Sequence, residues 1–384
     1  MPVSSRFARH RSCRRPALAL PIALAAALLL GACGRDAPRD ADDSRPDAVD
    51  AASTQDPRWA ALGARLFADT RLSADGKVSC ASCHRAGHAF SDGHPVSVGA
   101  HGKTSTRNAP SLLDVAELPH FFWDGREAKL ETVVLQPLTN PVEMGLGSRG
   151  ELLQRLSADP AYAAAFAELG GVSADAAARA LAAYLRTLRS GDSAFDRYQA
   201  GDRTALDADQ QAGLALFTGK AACNECHQLQ PGRARFTDDG FHHLGVNDGA
   251  IAGRVAGLIQ RLDGRRDLGE AVLTETDIAG LGHFVASRKP ADLAAFRTPS
   301  LRNIARTAPY MHDGSVATLE EAVDQEVYYR GINKGRPLSM TVEERRQLLA
   351  FLRGLSDATA PMAGPNEGVA TQRTTVAANA GAAH

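Results

Sequence analysis

Aromatic residues are scarce in this sequence: Phe, Trp and Tyr make up 5% of its 384 residues. Basic residues are not in excess either, since 43 Lys and Arg stand against 44 Asp and Glu, and this balance gives no indication of nucleic-acid binding. The one long apolar run, at 17–30, is short for a membrane-spanning helix. With 44% hydrophobic and 23% charged residues, the composition is that of a globular protein, whose cores are either Ala/Leu-rich or filled partly by a non-protein group.

The N-terminal stretch 1–32 has the pattern of an export signal. It contains five Arg and no acidic residue, and the Arg-rich start is followed by the apolar run and then by LGAC at 30–33. LGAC resembles a bacterial lipobox, which implies cleavage before Cys33 and diacylation of Cys33; an ordinary signal peptide cleaved near Ala32 is the alternative. We therefore expect a signal peptide over 1–32 and a periplasmic protein with a lipid anchor, and the absence of Asp after Cys33 favours the outer membrane.

The remaining cysteines indicate the class of cofactor. Cys13 lies in the expected signal peptide, and the four cysteines beyond Cys33 form two CxxCH motifs, at 80–84 and 223–227. CxxCH is the attachment signature of a c-type haem, in which two thiols bind the haem covalently and the adjacent His binds the iron. Zinc fits less well, because it needs four ligands and no second CxxC pairs with either motif. The sequence therefore predicts two covalent c-type haems, held by Cys80, Cys83, His84, Cys223, Cys226 and His227.

Composition divides the chain after the signal peptide into four segments. Residues 33–56 are rich in Asp, Ala and Pro and predict a disordered tether. Residues 356–384 are rich in Ala, Gly and Thr and predict a disordered tail. The roughly 300 residues between them suffice for two domains of ordinary size. We expect one haem in each, with domains at 57–205 and 206–355.

Helix-capping patterns recur along this central part of the chain. Asp56 before Pro57 is a typical helix start, and Ser148 and Thr341 are each followed three residues later by Glu. Ser173 precedes an Ala/Leu-rich helical pattern. Strand-like alternation of apolar and polar residues is scarce. The sequence therefore predicts an all-α fold with long loops.

Several short motifs occur twice at one constant offset. PSL at 110–112 recurs at 299–301, and DG at 124–125 recurs at 313–314, so that both offsets equal 189. The CxxCH motifs, at 80 and 223, have an offset of only 143. The second half is therefore longer by 46 between its haem motif and the repeated loop, roughly at 233–296. We predict two cytochrome c-like haem domains related by internal duplication, with different surroundings for the two haems.

Together these motifs resemble the bacterial dihaem cytochrome c peroxidase superfamily, which includes the MauG-type enzymes. The matching stretches are FSDG (90–93), RNAPSLLDVA (107–116), FFWDGR (121–126), NPVEMG (140–145), TPSLRNIARTAPYMHDG (298–314) and TLEEAV (318–323). The resemblance implies a peroxidatic haem at the first CxxCH motif and an electron-transfer haem at the second. It also implies reduction of hydrogen peroxide to water with electrons from a small cytochrome c or cupredoxin. Members of the family often form homodimers.

The resemblance assigns three residues to peroxide chemistry. Glu143 matches the acid–base carboxylate, which takes a proton from peroxide and returns one as the O–O bond breaks. Trp123 matches the tryptophan that relays electrons between the haems. His101 best matches a loop His that occupies the sixth iron position at rest in some members, with His88 and His94 as nearby alternatives.

Two positions differ from the pattern or from their repeat. Some peroxidases have a Gln ten residues before the catalytic Glu, where this sequence has Val133. A hydrogen bond to peroxide is therefore missing, or is supplied by Gln136 or by water. The counterpart of Trp123 in the second repeat is His312, which favours a special role for Trp123.

The sixth ligand of the C-terminal haem is Met in most peroxidases and Tyr in MauG-type relatives. After TLEEAV this sequence continues DQEVYYRG, with no Met at the family position and a spacing two residues longer than in common relatives. Tyr328 matches best and Tyr329 next, while Met340 and Met311 are alternatives. An anionic Tyr ligand would lower the potential of the iron.

The resemblance also implies one calcium ion. In the family, an Asn side chain and two backbone carbonyls bind it, and calcium prefers such oxygen ligands. The matching positions are Asn108, Thr307 and Pro309. A structural turn held by Asn108 alone is the alternative.

The sequence leaves three functions open. The leading one is a cytochrome c peroxidase. The second is MauG-like, in which peroxide generates a high-valent two-haem state that oxidises a protein or organic substrate; Tyr328 and Val133 favour it. The third is a non-enzymatic dihaem electron carrier, and Glu143 in its motif argues against it.

Overall fold

The computed structural model describes residues 56–358, apart from 334 and 336. The predicted signal peptide, the predicted tether up to residue 55 with Cys33, and the predicted tail from 359 onward lie outside the described residues. Within the described part, no helix is both long and apolar enough to cross a membrane. This part of the chain is helix-rich, with long connecting loops.

The helices of the first half flank the first CxxCH motif and the loops after it. Their bounds are α1 Pro57–Ala68, α2 Cys80–Cys83, α3 Leu130–Val133, α4 Gln136–Thr139, α5 Arg149–Ala158, α6 Pro160–Ala167, α7 Ala174–Thr187 and α8 Ala194–Gln199. Single turns of 3₁₀ helix interrupt the long stretch between α2 and α3.

Several helices of the second half lie in its additional segment, the stretch at roughly 233–296 that lengthens this half relative to the first. Their bounds are α9 Ala208–Thr218, α10 Val255–Leu262, α11 Leu268–Thr274, α12 Thr276–Ala279, α13 Phe284–Ser287, α14 Leu319–Asn333 and α15 Val342–Arg353. A short antiparallel sheet joins β1 (Phe241–His243) to β2 (Ala295–Arg297), with His242 opposite Phe296. The sequence analysis did not predict this sheet, which connects the two ends of the additional segment. The fold is therefore helix-rich rather than free of strands.

The predicted helix starts are confirmed. The side chain of Asp56 accepts a hydrogen bond from the backbone N–H of Arg58, with Pro57 as the first helical residue. Ser148, Ser173 and Thr341 each accept a hydrogen bond from the backbone N–H three residues later, at 3.0–3.2 Å. These bonds satisfy amide groups that the first helical turn leaves without partners.

In each half, the helix before the CxxCH motif packs against a later helix at a glycine. α1 meets α7 at Gly63, where a Cβ atom would lie 1.9 Å from the carbonyl oxygen of Ala180. α9 meets α15 at Gly213, where a Cβ atom would lie 2.1 Å from the carbonyl oxygen of Gln347. Only glycine permits these backbones to approach so closely.

Buried apolar side chains form three clusters. The first extends from Trp59 to Leu188 and is rich in Ala and Leu. The second extends from Phe195 to Leu355 and contains four phenylalanines, Phe195, Phe217, Phe236 and Phe351, whose ring centroids lie 5.1–6.4 Å apart in tilted or edge-to-face pairs. The third, from Ile251 to Ala294, lies within the additional segment. This segment therefore has a small core of its own.

Local geometry recurs at the same offset as the sequence motifs. The isolated bridge between Phe121 and Glu127 has its counterpart between Tyr310 and Val316. A further pair, Asp114 and Asn303, adopts the left-handed conformation with φ of 57° and 58°. One turn of 3₁₀ helix follows each of them.

Candidate functional site

The first CxxCH motif is held by a short helix and one anchored histidine. α2 contains both cysteines and His84 follows it directly. His84 Nδ1 lies 2.9 Å from the carbonyl oxygen of Phe90, a buried residue in the left-handed conformation. Burial lowers the pKa of His84, which favours the neutral ring. With Nδ1 donating to this carbonyl, Nε2 is the nitrogen left to bind a metal.

The second CxxCH motif is anchored in the same way. A 3₁₀ turn spans Cys223–Glu225, and His227 Nδ1 lies 2.9 Å from the carbonyl oxygen of Phe236. Phe236 is also buried and left-handed, with φ of 54°. Burial lowers the pKa of His227. The two halves therefore present equivalent neutral histidines.

These residues suit covalent haem. None of the four cysteines of the two motifs forms a disulfide, so all four thiols are available for attachment. The buried Nε atoms of Arg107, Arg126 and Arg330 have no hydrogen-bond partner within 56–358. Guanidinium N–H groups are suited to carboxylates such as the haem propionates.

A zinc site is a poor alternative. In the described part of the chain, Cys226, Asp238 and His242 are the group of potential metal ligands that lies together, within 4.8 Å of one another. Zinc in structural sites takes four protein ligands. This group offers three, and it shares Cys226 with the CxxCH motif.

Glu143 lies on a tightly bonded loop close to the first CxxCH motif. The carbonyl oxygen of Asn140 accepts hydrogen bonds from the backbone N–H groups of Glu143 and Gly145, at 3.1 and 2.9 Å. Glu143 contributes to raising the thiol pKa values of Cys80 and Cys83, which shows that its carboxylate is near both.

The environment of Glu143 suits proton transfer. Burial raises the pKa of Glu143 to about 7, and the charge of Arg126 acts in the opposite direction. A carboxyl group with a pKa near neutrality can accept a proton and return it. Gln136, the suggested substitute for the missing glutamine, donates instead to Glu127 at 2.6 Å, and Val133 packs against the first cluster.

The segment of His101 packs against the Glu143 loop. Ala100 N donates to the carbonyl oxygen of Glu143 at 2.7 Å, and a Cβ atom on Gly99 would lie 2.2 Å from the carbonyl oxygen of Val142. His101 itself is exposed, in the left-handed conformation, and its backbone N–H donates to Asp75. Its role as an iron ligand stays a prediction.

The two histidines named as alternatives to His101 have different kinds of contact, through the ring in His88 and through the backbone in His94. The ring of His88 contacts Arg85, with Nε2 2.8 Å from the guanidinium. The carbonyl oxygen of His94 accepts a hydrogen bond from the side-chain amide of Asn108 at 2.9 Å.

Trp123 connects the two halves of the molecule. Its indole Nε1 donates to the carbonyl oxygen of Asn108 at 2.9 Å, and its own carbonyl accepts from the backbone N–H of Arg297 at 2.9 Å. Asn108 N in turn donates to the carbonyl oxygen of His312. His312 is buried, and its ring stacks on Phe296 with centroids 3.6 Å apart. This hydrogen-bonded path runs between the two repeats.

One of the predicted calcium positions, Asn108, lies on this path. Asn108 is buried, and its side-chain N–H groups are directed to the carbonyl oxygens of His94 and Pro95. The bond from Asn108 N to His312 brings it to the segment that contains Thr307 and Pro309. The side-chain oxygen of Asn108 and the carbonyl oxygens of Thr307 and Pro309 are ligands of the type that calcium prefers. The site stays a prediction.

The additional segment of the second half packs on the first half, which the sequence analysis did not anticipate. Thr106 donates through its side chain to the carbonyl of Val272 and through its backbone to that of Leu273, at 2.6 and 3.1 Å. Arg107 donates to the carbonyl of Ala279 at 2.6 Å. A cavity of about 380 Å³ lies at this contact, and its lining includes Arg107, Thr276 and His312.

A second contact between this segment and the first half involves aromatic rings. His283 Nδ1 lies 2.7 Å from the carbonyl oxygen of Asp124, and its ring stacks on Phe241 with centroids 3.6 Å apart. A Cβ atom on Gly125 would lie 2.2 Å from Phe241. The DG motif of the first half therefore fits directly beneath this stacked pair.

The four candidates for the sixth ligand of the C-terminal haem differ in position. The Tyr328 side chain is 63% exposed, whereas Tyr329 is half-buried and donates its hydroxyl to the carbonyl of Gly245 at 3.1 Å. Met311 and Met340 are half-buried against the second cluster. The structure thus separates the candidates without bringing Tyr328 to the CxxCH motif, and its role stays a prediction.

Sequence reasoning missed two charged residues near the second CxxCH motif. Glu326 and Arg330 on α14 act in opposite directions on the pKa of the Cys223 thiol, so both lie near it. Burial raises the pKa of Glu326 to about 7, against the charges of Arg330 and His242. The helical periodicity of residues 319–331 was the signal that could have found them.

Comparisons with known proteins agree with this arrangement. A model of the di-haem cytochrome c peroxidase family matches residues 57–204. The methylamine utilization protein MauG of Methylorubrum extorquens is 38% identical over 324 residues, which cover 81% of this chain and 82% of that protein. The cytochrome-c peroxidase IdrP2 of Denitromonas iodatirespirans is 37% identical over 306 residues, which cover 77% and 80%. Among solved structures, the diheme peroxidase BthA from Burkholderia thailandensis is similar with a TM-score of 0.63 and 30% identity, covering 79% of this chain and 87% of that one.

Proposed function

This chain belongs to the di-haem cytochrome c peroxidase family of oxidoreductases, and we propose that it reduces hydrogen peroxide to water with electrons from a small periplasmic cytochrome c or cupredoxin. The observation that carries this proposal is the position of Glu143, a half-buried carboxyl group with a pKa of about 7 beside the first CxxCH motif. An electron carrier would have no use for a proton-transferring group at this place.

The haems would be held by the two CxxCH motifs. His84 and His227 would bind the irons through Nε2, and the two pairs of cysteines would form the covalent links. The iron at the first motif would supply the Lewis acid and the electrons for cleaving peroxide. We propose two cytochrome c-like domains, at 57–205 and 206–355, that arose by internal duplication. The local geometry that recurs at the constant offset supports this.

Glu143 would move the protons. Its carboxylate accepts the proton of the peroxide oxygen that approaches the first haem, and its carboxylic acid then donates to the far oxygen as the O–O bond breaks. The reaction consumes one peroxide, two electrons and two protons and releases two waters. The loop bonds from Asn140 and Ala100 keep the carboxyl group in place through the cycle.

Trp123 would carry the electrons from the second half to the first. Its indole is hydrogen-bonded to Asn108, and its backbone is hydrogen-bonded to Arg297 of the second half. We propose a calcium ion next to it, bound by the side chain of Asn108 and the carbonyls of Thr307 and Pro309. Its ligands would fix the distance between the two repeats.

MauG-like oxidation of a protein or organic substrate is the second candidate. The 38% identity to a MauG protein favours it, as does Val133 in place of a hydrogen-bonding glutamine. The cavity between the two halves would then be one place for a small substrate.

Anchoring of the protein to the outer membrane through Cys33, and formation of a homodimer, are further parts of the proposal.

The test is peroxide turnover by the haem-loaded protein with a reduced small cytochrome c as donor, as isolated and after one-electron reduction. Rapid oxidation of the cytochrome is expected. Activity that appears only after pre-reduction would support His101 as a displaceable ligand. Reaction of the haems with peroxide without oxidation of the cytochrome would favour the MauG-like function, and failure of both haems to bind cyanide would contradict both enzymatic proposals.

A further inference from the structure

The two faces of α14 have opposite characters. The exposed positions are spaced by three and four residues, and they are Glu321, Asp324, Tyr328 and Ile332. The buried positions Leu319, Ala322 and Val323 define the opposite face. Glu326 follows them at helical spacing, three residues after Val323 and seven after Leu319, so it continues the inward face. Tyr328, two residues further, is turned about 200° away from Glu326.

The inward face of α14 reaches the second CxxCH motif. Arg330, four residues after Glu326, donates to Glu225 at 3.3 Å, and Glu225 lies between the two cysteines of that motif. The Arg330 side chain is 14% exposed, and its buried Nε has no hydrogen-bond partner in the described part of the chain. One turn of helix therefore places Glu326 and Arg330 side by side at the cysteines.

We propose that Glu326 is the side chain of α14 that faces the iron of the C-terminal haem at its sixth position, with Arg330 as its charged neighbour. This inference rests on the proposed haem at Cys223, Cys226 and His227. The ligand would then be a carboxylate, in place of the thioether or phenol that the sequence pattern suggested. A hard anionic oxygen stabilises ferric over ferrous iron, so this haem would have a low potential.

The tyrosines are poorly placed for that role. Tyr328 is on the solvent face, and binding would require α14 to rotate by almost half a turn or to break. Tyr329 is held by the hydrogen bond to Gly245, at a position where its ring would clash with any Cβ on that glycine. The rings of Tyr328 and Tyr329 also contact each other, at a centroid distance of 5.2 Å.

The test uses spectra of the purified holoprotein and compares Glu326→Met with Tyr328→Met. A methionine that binds haem iron produces a sulfur-to-iron charge-transfer band in the near infrared. We expect the wild type to lack this band, Glu326→Met to gain it, and Tyr328→Met to lack it. Haem content, measured after alkaline pyridine extraction, must stay at two per chain for the comparison to count.

A second pair of variants changes the side chains too little to disturb folding, and it tests the same proposal. Glu326→Gln has the same shape, and it should change the EPR signal and raise the reduction potential of the C-terminal haem, whereas Tyr328→Phe should change neither. The inference is overturned if Tyr328→Phe changes this signal and Glu326→Gln does not, or if the wild type already shows the sulfur band and loses it in Met340→Leu or Met311→Leu. Absence of peroxide turnover with these spectral results intact would contradict only the proposed function.

Discussion

The two halves that contain the CxxCH motifs share their histidine anchors and differ in the segment after the repeated loop. Each half holds its histidine on the carbonyl of a buried, left-handed phenylalanine. In the first half, Pro137 lies in the first turn of α4, and α3 ends before it. The equivalent position in the second repeat is Glu326, and α14 continues through it without a break. Proline disrupts a helix interior because it lacks the N–H and clashes with the preceding turn.

This difference changes which part of the chain lies next to each CxxCH motif. After α4 the chain turns into the NPVEMG loop, which brings Glu143 to the first CxxCH motif at the end of a short connection. In the second half the helix itself lies along the motif, and Arg330 contacts Glu225. This arrangement would fit the proposed roles, with peroxide reacting in the first half and electrons entering through the second.

The largest expected effect is the loss of proton transfer in the first half. Glu143→Gln should lower peroxide turnover by roughly 10²–10⁴-fold, because the amide cannot accept the peroxide proton. The haem spectra should stay close to those of the wild type. Glu168→Gln, at an exposed position, is the matched control. Equal turnover in Glu143→Gln and the control would show that Glu143 has no role in the reaction.

The pH dependence of the peroxide reaction rate should reveal the titration of Glu143. Because the pKa of Glu143 is about 7, its carboxylate form is lost as pH falls below that value. The rate of the peroxide reaction should decrease about tenfold for each pH unit below the pKa, and it should level off above it. Stopped-flow measurement between pH 5 and 9, on wild type and Glu143→Gln, checks this. A sigmoid that persists in the variant would assign the titration to another group.

Replacement of the tryptophan tests the connection between the halves. Trp123→Phe keeps an aromatic ring and removes the indole N–H that donates to Asn108, and a benzene ring is harder to oxidise than indole. Electron transfer from the C-terminal to the N-terminal haem should become severalfold slower, with peroxide binding unchanged. Trp59→Phe, in the first core cluster, is the control. Equal transfer rates in Trp123→Phe and wild type would indicate that the ring only packs.

The smallest effects concern the glycines at the helix crossings. Gly63→Ala and Gly213→Ala should each lower the free energy of unfolding by about 1–3 kcal/mol, since the new methyl group meets a backbone carbonyl. Gly257→Ala in α10, where the Cβ would meet open space, should be neutral or slightly stabilising. Thermal unfolding followed by haem absorbance would tell the halves apart. Similar stability for all three variants would contradict the close packing.

Local chemistry was predictable from the sequence, and long-range packing was not. The CxxCH motifs and the caps at Asp56, Ser148 and Thr341 depend on residues within one turn of each other, so a pattern suffices to identify them. The short sheet and the docking of the additional segment on Thr106 depend on residues that are far apart in the sequence. The prediction that Tyr328 binds the iron of the C-terminal haem came from its spacing after the TLEEAV motif. The contacts of α14 follow helical periodicity instead, and this places Tyr328 on the exposed face.

The docking of the additional segment has a consequence for how such enzymes can diversify. Val272, Leu273 and Ala279 contribute only main-chain carbonyls to the bonds with Thr106 and Arg107. Every residue type has that carbonyl, so mutations in α11 and α12 can change the wall of the adjoining cavity while the attachment to the first half persists. Selection could therefore alter what enters this cavity without rebuilding the scaffold around either haem.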